Sequence, residues 1–142
     1  MKSKIILISI LLVAGLLVLG YFKAIPSAQN GGSEGPRISI LPETFDFGDI
    51  QYGQIVEYDL QVKNSGTSDL EIGKVATSCS CTTAKIDQKI IKPGDSVPLR
   101  VRYDSGAMGS LHGKGRQERI IYIRSNDSIN PQVQAIIYAN VQ

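Results

Sequence analysis

The stretch Ile55-Val56-Glu57-Tyr58-Asp59-Leu60-Gln61-Val62-Lys63 decides the fold. Val56, Tyr58, Leu60 and Val62 alternate with Glu57, Asp59, Gln61 and Lys63. Side chains on a strand point to opposite faces in turn, so one face is dry and the other wet, as in an antiparallel sheet with one solvated side. Asn64-Ser65-Gly66 follows as a turn. The same period recurs downstream. Leu70 to Ala76 reads as a strand with Leu70, Ile72 and Lys74 on one face. Pro93-Gly94-Asp95 is a tight turn. Val97, Leu99, Val101 and Tyr103 then alternate with Pro98, Arg100 and Arg102, and Pro98, which has no N–H, requires an edge or a bulge there. Gln117 to Arg124 carries four successive apolar residues, Ile120 to Ile123, and reads as a central strand covered on both faces. Ser125 to Pro131 is a loop, and Val133, Ala135, Ile137, Ala139 and Val141 mark the last strand. Upstream, Arg37 to Leu41 and Thr44 to Phe47 are short strands around Pro42.

Seven or eight short strands with turn signals between them predict an all-β immunoglobulin-like antiparallel β-sandwich over residues 37–142. The chain has no Trp and only two cysteines, so the Cys…Trp…Cys core of antibody domains is missing and burial alone must hold the sheets together. Residues 24–36 include Pro26-Ser27-Ala28-Gln29-Asn30-Gly31-Gly32-Ser33-Glu34-Gly35-Pro36, a flexible linker with no apolar face to bury. Residues 1–23 read as a signal anchor. Ile5 to Phe22 is uncharged and nearly all apolar, and as a helix it reaches about 27 Å, close to a bilayer core. Lys2 and Lys4 precede it, which orients the N-terminus to the cytoplasm and the domain outward. The expectation is a single-pass protein of the inner or cytoplasmic membrane, held through residues 5–22, with its C-terminal domain in the periplasm or extracellular space. Cleavage and secretion is the alternative, although small-x-small cleavage sites are poor here.

The formal net charge is +2, and Lys2 and Lys4 account for it: setting them aside leaves 13 Lys and Arg against 13 Asp and Glu. A nucleic-acid partner is therefore not expected. The charge is uneven. Residues 43–71 hold seven acids and one lysine, and residues 100–124 hold six bases and two acids. Either these faces pair with each other or solvent, or they form a dipole that orients the domain on a partner.

Several local sequences resemble, in order, a bacterial family of exported proteins called a domain of unknown function. They are Phe45-Asp46-Phe47-Gly48-Asp49-Ile50, Tyr52-Gly53, Val62-Lys63-Asn64-Ser65-Gly66, Ser78-Cys79-Ser80-Cys81-Thr82, Lys92-Pro93-Gly94-Asp95 and Ser125-Asn126-Asp127. The family's mark is Cys-[Gly/Ser]-Cys-Thr, and it is similar to the Hydin and major-sperm-protein type of immunoglobulin-like domain. The resemblance spans Ile38 to Val141 and implies this fold and export, with no settled activity.

Cys79 and Cys81 are the candidate site. On an extended strand residues two apart share a face, so the sulfurs are neighbours, and closing a bond between them bends the backbone. Three readings stay open. One is a local disulfide or structural thiol pair, with Cys79 buried and Cys81 its exposed partner. Another is a copper(I) site, since thiolates and thioethers suit a soft ion, completed by Met108, His112 or both from the Gly-rich stretch 106–115. The third is thiol–disulfide exchange. Zinc is not expected from two Cys and one His. One His, no Walker sequence and no Cys-x-x-Cys leave no catalytic constellation. The function expected is a membrane-tethered, extracytoplasmic binding or assembly module without catalytic activity, no cofactor and an envelope protein as partner. The alternative is a copper(I)-binding or thiol-redox accessory protein.

Overall fold

The computed structural model describes residues 35–142. The expected membrane helix and residues 24–34 of the expected linker lie outside them. Among the described residues no helix is long and apolar enough to cross a membrane.

Nine strands form two sheets: β1 (Ile38–Leu41), β2 (Thr44–Ile50), β3 (Ile55–Asn64), β4 (Leu70–Thr77), β5 (Thr82–Ile86), β6 (Ile90–Ile91), β7 (Ser96–Asp104), β8 (Gly115–Ser125) and β9 (Gln132–Val141). A one-turn helix, α1 (Ser110–Gly113), lies between β7 and β8. The four-stranded sheet has the order β1-β3-β7-β5 and the five-stranded sheet β2-β9-β8-β4-β6. This is the expected all-β sandwich of immunoglobulin type. Leu60, Val62, Leu99, Val101 and Tyr103 face Leu70, Ile72, Ile121, Ile123 and Ile137 in a core with no covalent bridge between the sheets. Phe45 of β2 stacks on Tyr58 of β3, with ring centroids 3.6 Å apart, and joins the sheets at one side.

The sheets depart from the expected pattern in four places. First, β2 pairs with β9 in parallel, not antiparallel. Pro42, without an N–H, ends the β1 ladder, and the short link Pro42-Glu43 carries the chain to the opposite sheet without reversing it. Second, a register shift between Ile72 and Val75 turns Lys74 outward instead of alongside Leu70 and Ile72. Third, β8 is central, but only its inner face is dry: Ile121 and Ile123 are buried, whereas Ile120 and Tyr122 are half-buried. Fourth, residues 82–86 and 90–91 are strands that alternation did not mark. Beside Pro98 the expected edge does occur, because pairing of β7 with β5 stops at Leu99.

Three of the local sequences quoted above pin the end where residue 35 enters. The buried Asn64 side chain donates to the carbonyls of Ser68 (2.8 Å) and Ile91 (2.9 Å) and accepts from Arg37 N (3.2 Å) and Gly66 N (3.0 Å). Gly66 must lack a side chain, because a Cβ there would fall 2.6 Å from Arg37 N and would also overlap the Gly35 carbonyl. The Asp95 carbonyl accepts from Asn64 N, and the Asn64 carbonyl from Gly94 N. Asp127, with its side chain wholly out of solvent, accepts from Ile38 N, Ile129 N, Asn130 N and Arg37.

Three pairs join the acidic and basic stretches. Glu57 faces Arg102 at 3.6 Å and Asp59 faces Arg100 at 3.9 Å on the wet face of β3 and β7, and Asp46 meets Arg116 at 2.8 Å. The Gly48 N–H and then the Arg116 guanidinium hold the Asp46 carboxyl below the usual carboxylate range.

Candidate functional site

The sandwich has two unlike ends. The 51–54 turn, the 78–81 turn, the 105–114 loop and the C-terminal residue gather at the end opposite Gly35–Arg37. Tyr52 N donates to the Gln142 carbonyl, Ser105 Oγ to the carbonyls of Gln51 and Gln54, and Asp104 N to the Cys81 carbonyl. This distal end holds all four sequence candidates.

Cys79 and Cys81 form a disulfide with Cα atoms 5.2 Å apart. The segment is a turn, with Thr82 N donating to the Cys79 carbonyl at 3.4 Å, and not the extended strand that would place the Cα atoms near 6.7 Å. The turn carries the chain from β4 in one sheet to β5 in the other. Thr77 fastens it, its hydroxyl lying 3.0 Å from the Cys79 carbonyl and 2.9 Å from that of Thr82. From β8, Ile120 exchanges two bonds with Ser78: Ser78 N donates to its carbonyl and Ile120 N donates to Ser78 Oγ.

The expected burial is reversed. Cys81 is 2% exposed, and Cys79 is the partly exposed member. Cys81 leads into β5, whose next residue Thr82 pairs with Tyr103 and turns its side chain into the core. Arg119 of β8 closes the site from the other sheet. Its Nε donates to Cys81 Sγ at 3.0 Å, its guanidinium lies 5.6 Å from the Tyr103 ring centroid, and its remaining nitrogens donate to the Glu118 carbonyl and to Gln117 Oε1. The Thr82 hydroxyl is 3.5 Å from Cys79 Sγ and 3.8 Å from Cys81 Sγ. Burial pushes the Tyr103 phenol up, with the Arg119 charge working against it.

Met108 and His112 sit on the same end of the domain, both exposed, His112 within α1. The two sulfurs make their hydrogen-bond contacts with Thr82 and Arg119. No group of three or more His, Cys, Asp and Glu side chains placed to hold a metal ion occurs among the described residues. Sulfurs bonded to each other supply no thiolate, so a soft metal would need the pair reduced first. Sequence reasoning missed Arg119 and Thr82. Thr82 adjoins the cysteines, but Arg119 lies 38 residues away and only the β4–β8 pairing brings it in.

The loops that frame this site expose four large apolar side chains among polar ones. Leu111 is 93% exposed and Met108 40%, and Tyr52 and Ile55 are exposed beside them on the adjoining turn and strand start. Tyr52 is anchored under the loop: its ring lies against Gly113, where an added Cβ would come within 3.1 Å of it.

An immunoglobulin-like sandwich whose entering strand passes between its two sheets is the class that this arrangement defines. The chain belongs to the family described as "Protein of unknown function (DUF1573)", whose model matches residues 38–141. Among solved structures, it is similar to a protein of unknown function from Porphyromonas gingivalis, with TM-score 0.67 and 24% identity over 82% of this chain. This chain spans about half of that protein, 51% of its length. It is similar also to the ASH / PapD-like domain 7 of human CEP192, with TM-score 0.52 and 9% identity over 74% of this chain and 84% of that one. A third is the YadV chaperone, with TM-score 0.54 and 12% identity over 74% of this chain and 52% of that one. At these identities the likeness is one of fold. No curated protein matches the sequence.

Proposed function

We propose that the domain is a non-catalytic binding or assembly module, tethered to the membrane through residues 5–22 and facing the extracytoplasmic space. In this reading its distal end engages an envelope protein that presents an apolar surface. The exposed cluster of Tyr52, Ile55, Met108 and Leu111 carries it. A leucine left in water gains roughly 1.5–3 kcal/mol when fully buried, so a partner that covers Leu111 and its neighbours has a driving force already present in this end. The chain enters the domain at the opposite end. The fold likeness to the YadV chaperone is compatible with a binding role and adds nothing about the partner. The short edge strand β1 offers a second means of attachment, by strand addition.

The test is a cross-linking pull-down from intact membranes with the full chain, set against residues 1–36 alone. A discrete envelope protein captured by the full chain and absent from the anchor supports the module. Identical captures by both remove the support for it.

A further inference from the structure

We propose that Cys79–Cys81 is a thiol–disulfide exchange site, in which Cys79 takes the attack of a dithiol and Cys81 departs as a thiolate held by Arg119. Four observations converge. The two sulfurs differ in access: Cys81 is 2% exposed, whereas Cys79 is partly open on a turn at the distal end. Arg119 Nε is aimed at the buried sulfur from 3.0 Å, and its other nitrogens are fixed by Glu118 and Gln117, so it needs no rearrangement. The Thr82 hydroxyl lies within 3.8 Å of both sulfurs. Finally, a loop of sequence separation 2 restricts the unfolded chain little, so stability is a weak reason for the bond.

The Arg119 contact sets the direction. A neutral disulfide sulfur is a poor acceptor, whereas a thiolate makes a charge-assisted hydrogen bond. Arg119 therefore stabilises the reduced pair more than the oxidised one and makes the disulfide a better oxidant. It also lowers the proton affinity of the leaving sulfur, and a leaving thiol of lower pKa departs faster.

The step balances with a dithiol as reductant. One thiolate of the dithiol attacks Cys79 Sγ, an S–S bond forms between them, and the Cys79–Cys81 bond breaks. Its electron pair remains on Cys81 Sγ beside Arg119. The second thiolate then attacks the reductant's own sulfur in the mixed disulfide, closes the oxidised dithiol and expels Cys79. Two electrons pass to the pair. Of the two protons that the dithiol releases, Cys79 takes one and the other goes to solvent, since Cys81 stays ionised. The transfer is stoichiometric, one dithiol per domain, and does not depend on the binding partner.

The experiment uses the purified full chain in mild detergent with dithiothreitol as the dithiol, and glutathione with an acid quench to map the mixed disulfide. The expected adduct is on Cys79. Arg119→Gln is expected to slow reduction and to lower its equilibrium constant by about ten- to a hundredfold, the worth of one hydrogen bond to a charged group. Arg119→Lys should restore part of both. A glutathione adduct on Cys81, or an Arg119→Gln chain that melts like the native one and reacts at the same rate, overturns the proposal. Where Arg119→Gln melts early, alkylation of the reduced native chain against pH decides: a Cys81 thiol ionising at or above the ordinary value of about 8.5 overturns it as well.

Discussion

Replacing Asp127 by alanine is expected to cost about 3–4 kcal/mol of folding stability. The carboxylate sits out of solvent and takes four bonds: Oδ2 accepts from Ile38 N at 3.0 Å, and Oδ1 from Arg37 at 3.0 Å, Ile129 N at 2.9 Å and Asn130 N at 3.1 Å. Ile129 and Asn130 are exposed, so their N–H groups can turn to water after truncation. Ile38 is buried at the start of β1, and its N–H is then orphaned, at about 1–3 kcal/mol. Stripping the partner from a buried charge costs about 3–5 kcal/mol, but Arg37 keeps some solvent and the Pro36 carbonyl, so its share falls below that range. The loss is a large part of a total of about 5–15 kcal/mol. With a urea slope of about 1.5 kcal/mol/M, the midpoint should move down by about 2 M.

Acid supplies the second arm of the same experiment. Burial pushes the Asp127 carboxyl up, but the N–H groups of Ile38, Asn130 and Ile129 and the Arg37 charge outweigh it and hold it below the usual range. A carboxyl lowered in the folded state contributes stability that is full above its unfolded value of about 3.9 and is lost as pH falls through the folded value. The gap between native and Asp127→Asn proteins should therefore be constant near neutrality and shrink below about pH 4. Circular dichroism in urea series at several pH values measures both arms. A loss under 1 kcal/mol for Asp127→Ala, or a gap that widens in acid, would refute the reasoning.

Other outcomes follow from the same structure. Gly66→Ala forces a Cβ onto the backbone of residues 35–37 and should lower stability by about 1–3 kcal/mol in denaturant titration. Reducing the Cys79–Cys81 bond should cost no more than about 2 kcal/mol in the same titration, since it closes a loop of sequence separation 2. Glu57→Gln should change stability by less than about 1 kcal/mol, its exposed pair with Arg102 being 3.6 Å long, and the effect should vanish at high salt.

Residues with strict alternation were legible in the sequence. Val56, Tyr58, Leu60 and Val62 announce β3, and Val133 to Val141 announce β9, because each strand has one wet face. β5 was not legible: Thr82, Ala84 and Ile86 alternate with Thr83 and Lys85 too weakly in polarity to stand out. The parallel docking of β2 depends on where the chain crosses at Pro42, which no local pattern encodes. The bulge that turns Lys74 out shows only in the pairing with β8. At the site the cysteines declared themselves by spacing. Their order of burial did not, since it is decided by Thr82 joining the core opposite Tyr103. Arg119 reads as one more surface base until the sheet forms. Of the acidic 43–71 and basic 100–124 stretches, Glu57, Asp59 and Asp46 meet Arg102, Arg100 and Arg116 in the folded domain, which offsets part of the apparent dipole.

The most direct measurement of the proposed role is position-specific photo-crosslinking in intact membranes. A photo-crosslinking residue replaces Ser110 at the distal end in the full chain, in an otherwise native background and with Met108→Ser and Leu111→Ser together. A second chain carries it at Asn130, at the opposite end. The account predicts a discrete adduct from position 110 that disappears in the double variant while the melting temperature holds, and no such adduct from position 130. An adduct that survives loss of both apolar side chains, or one formed equally from position 130, would contradict it.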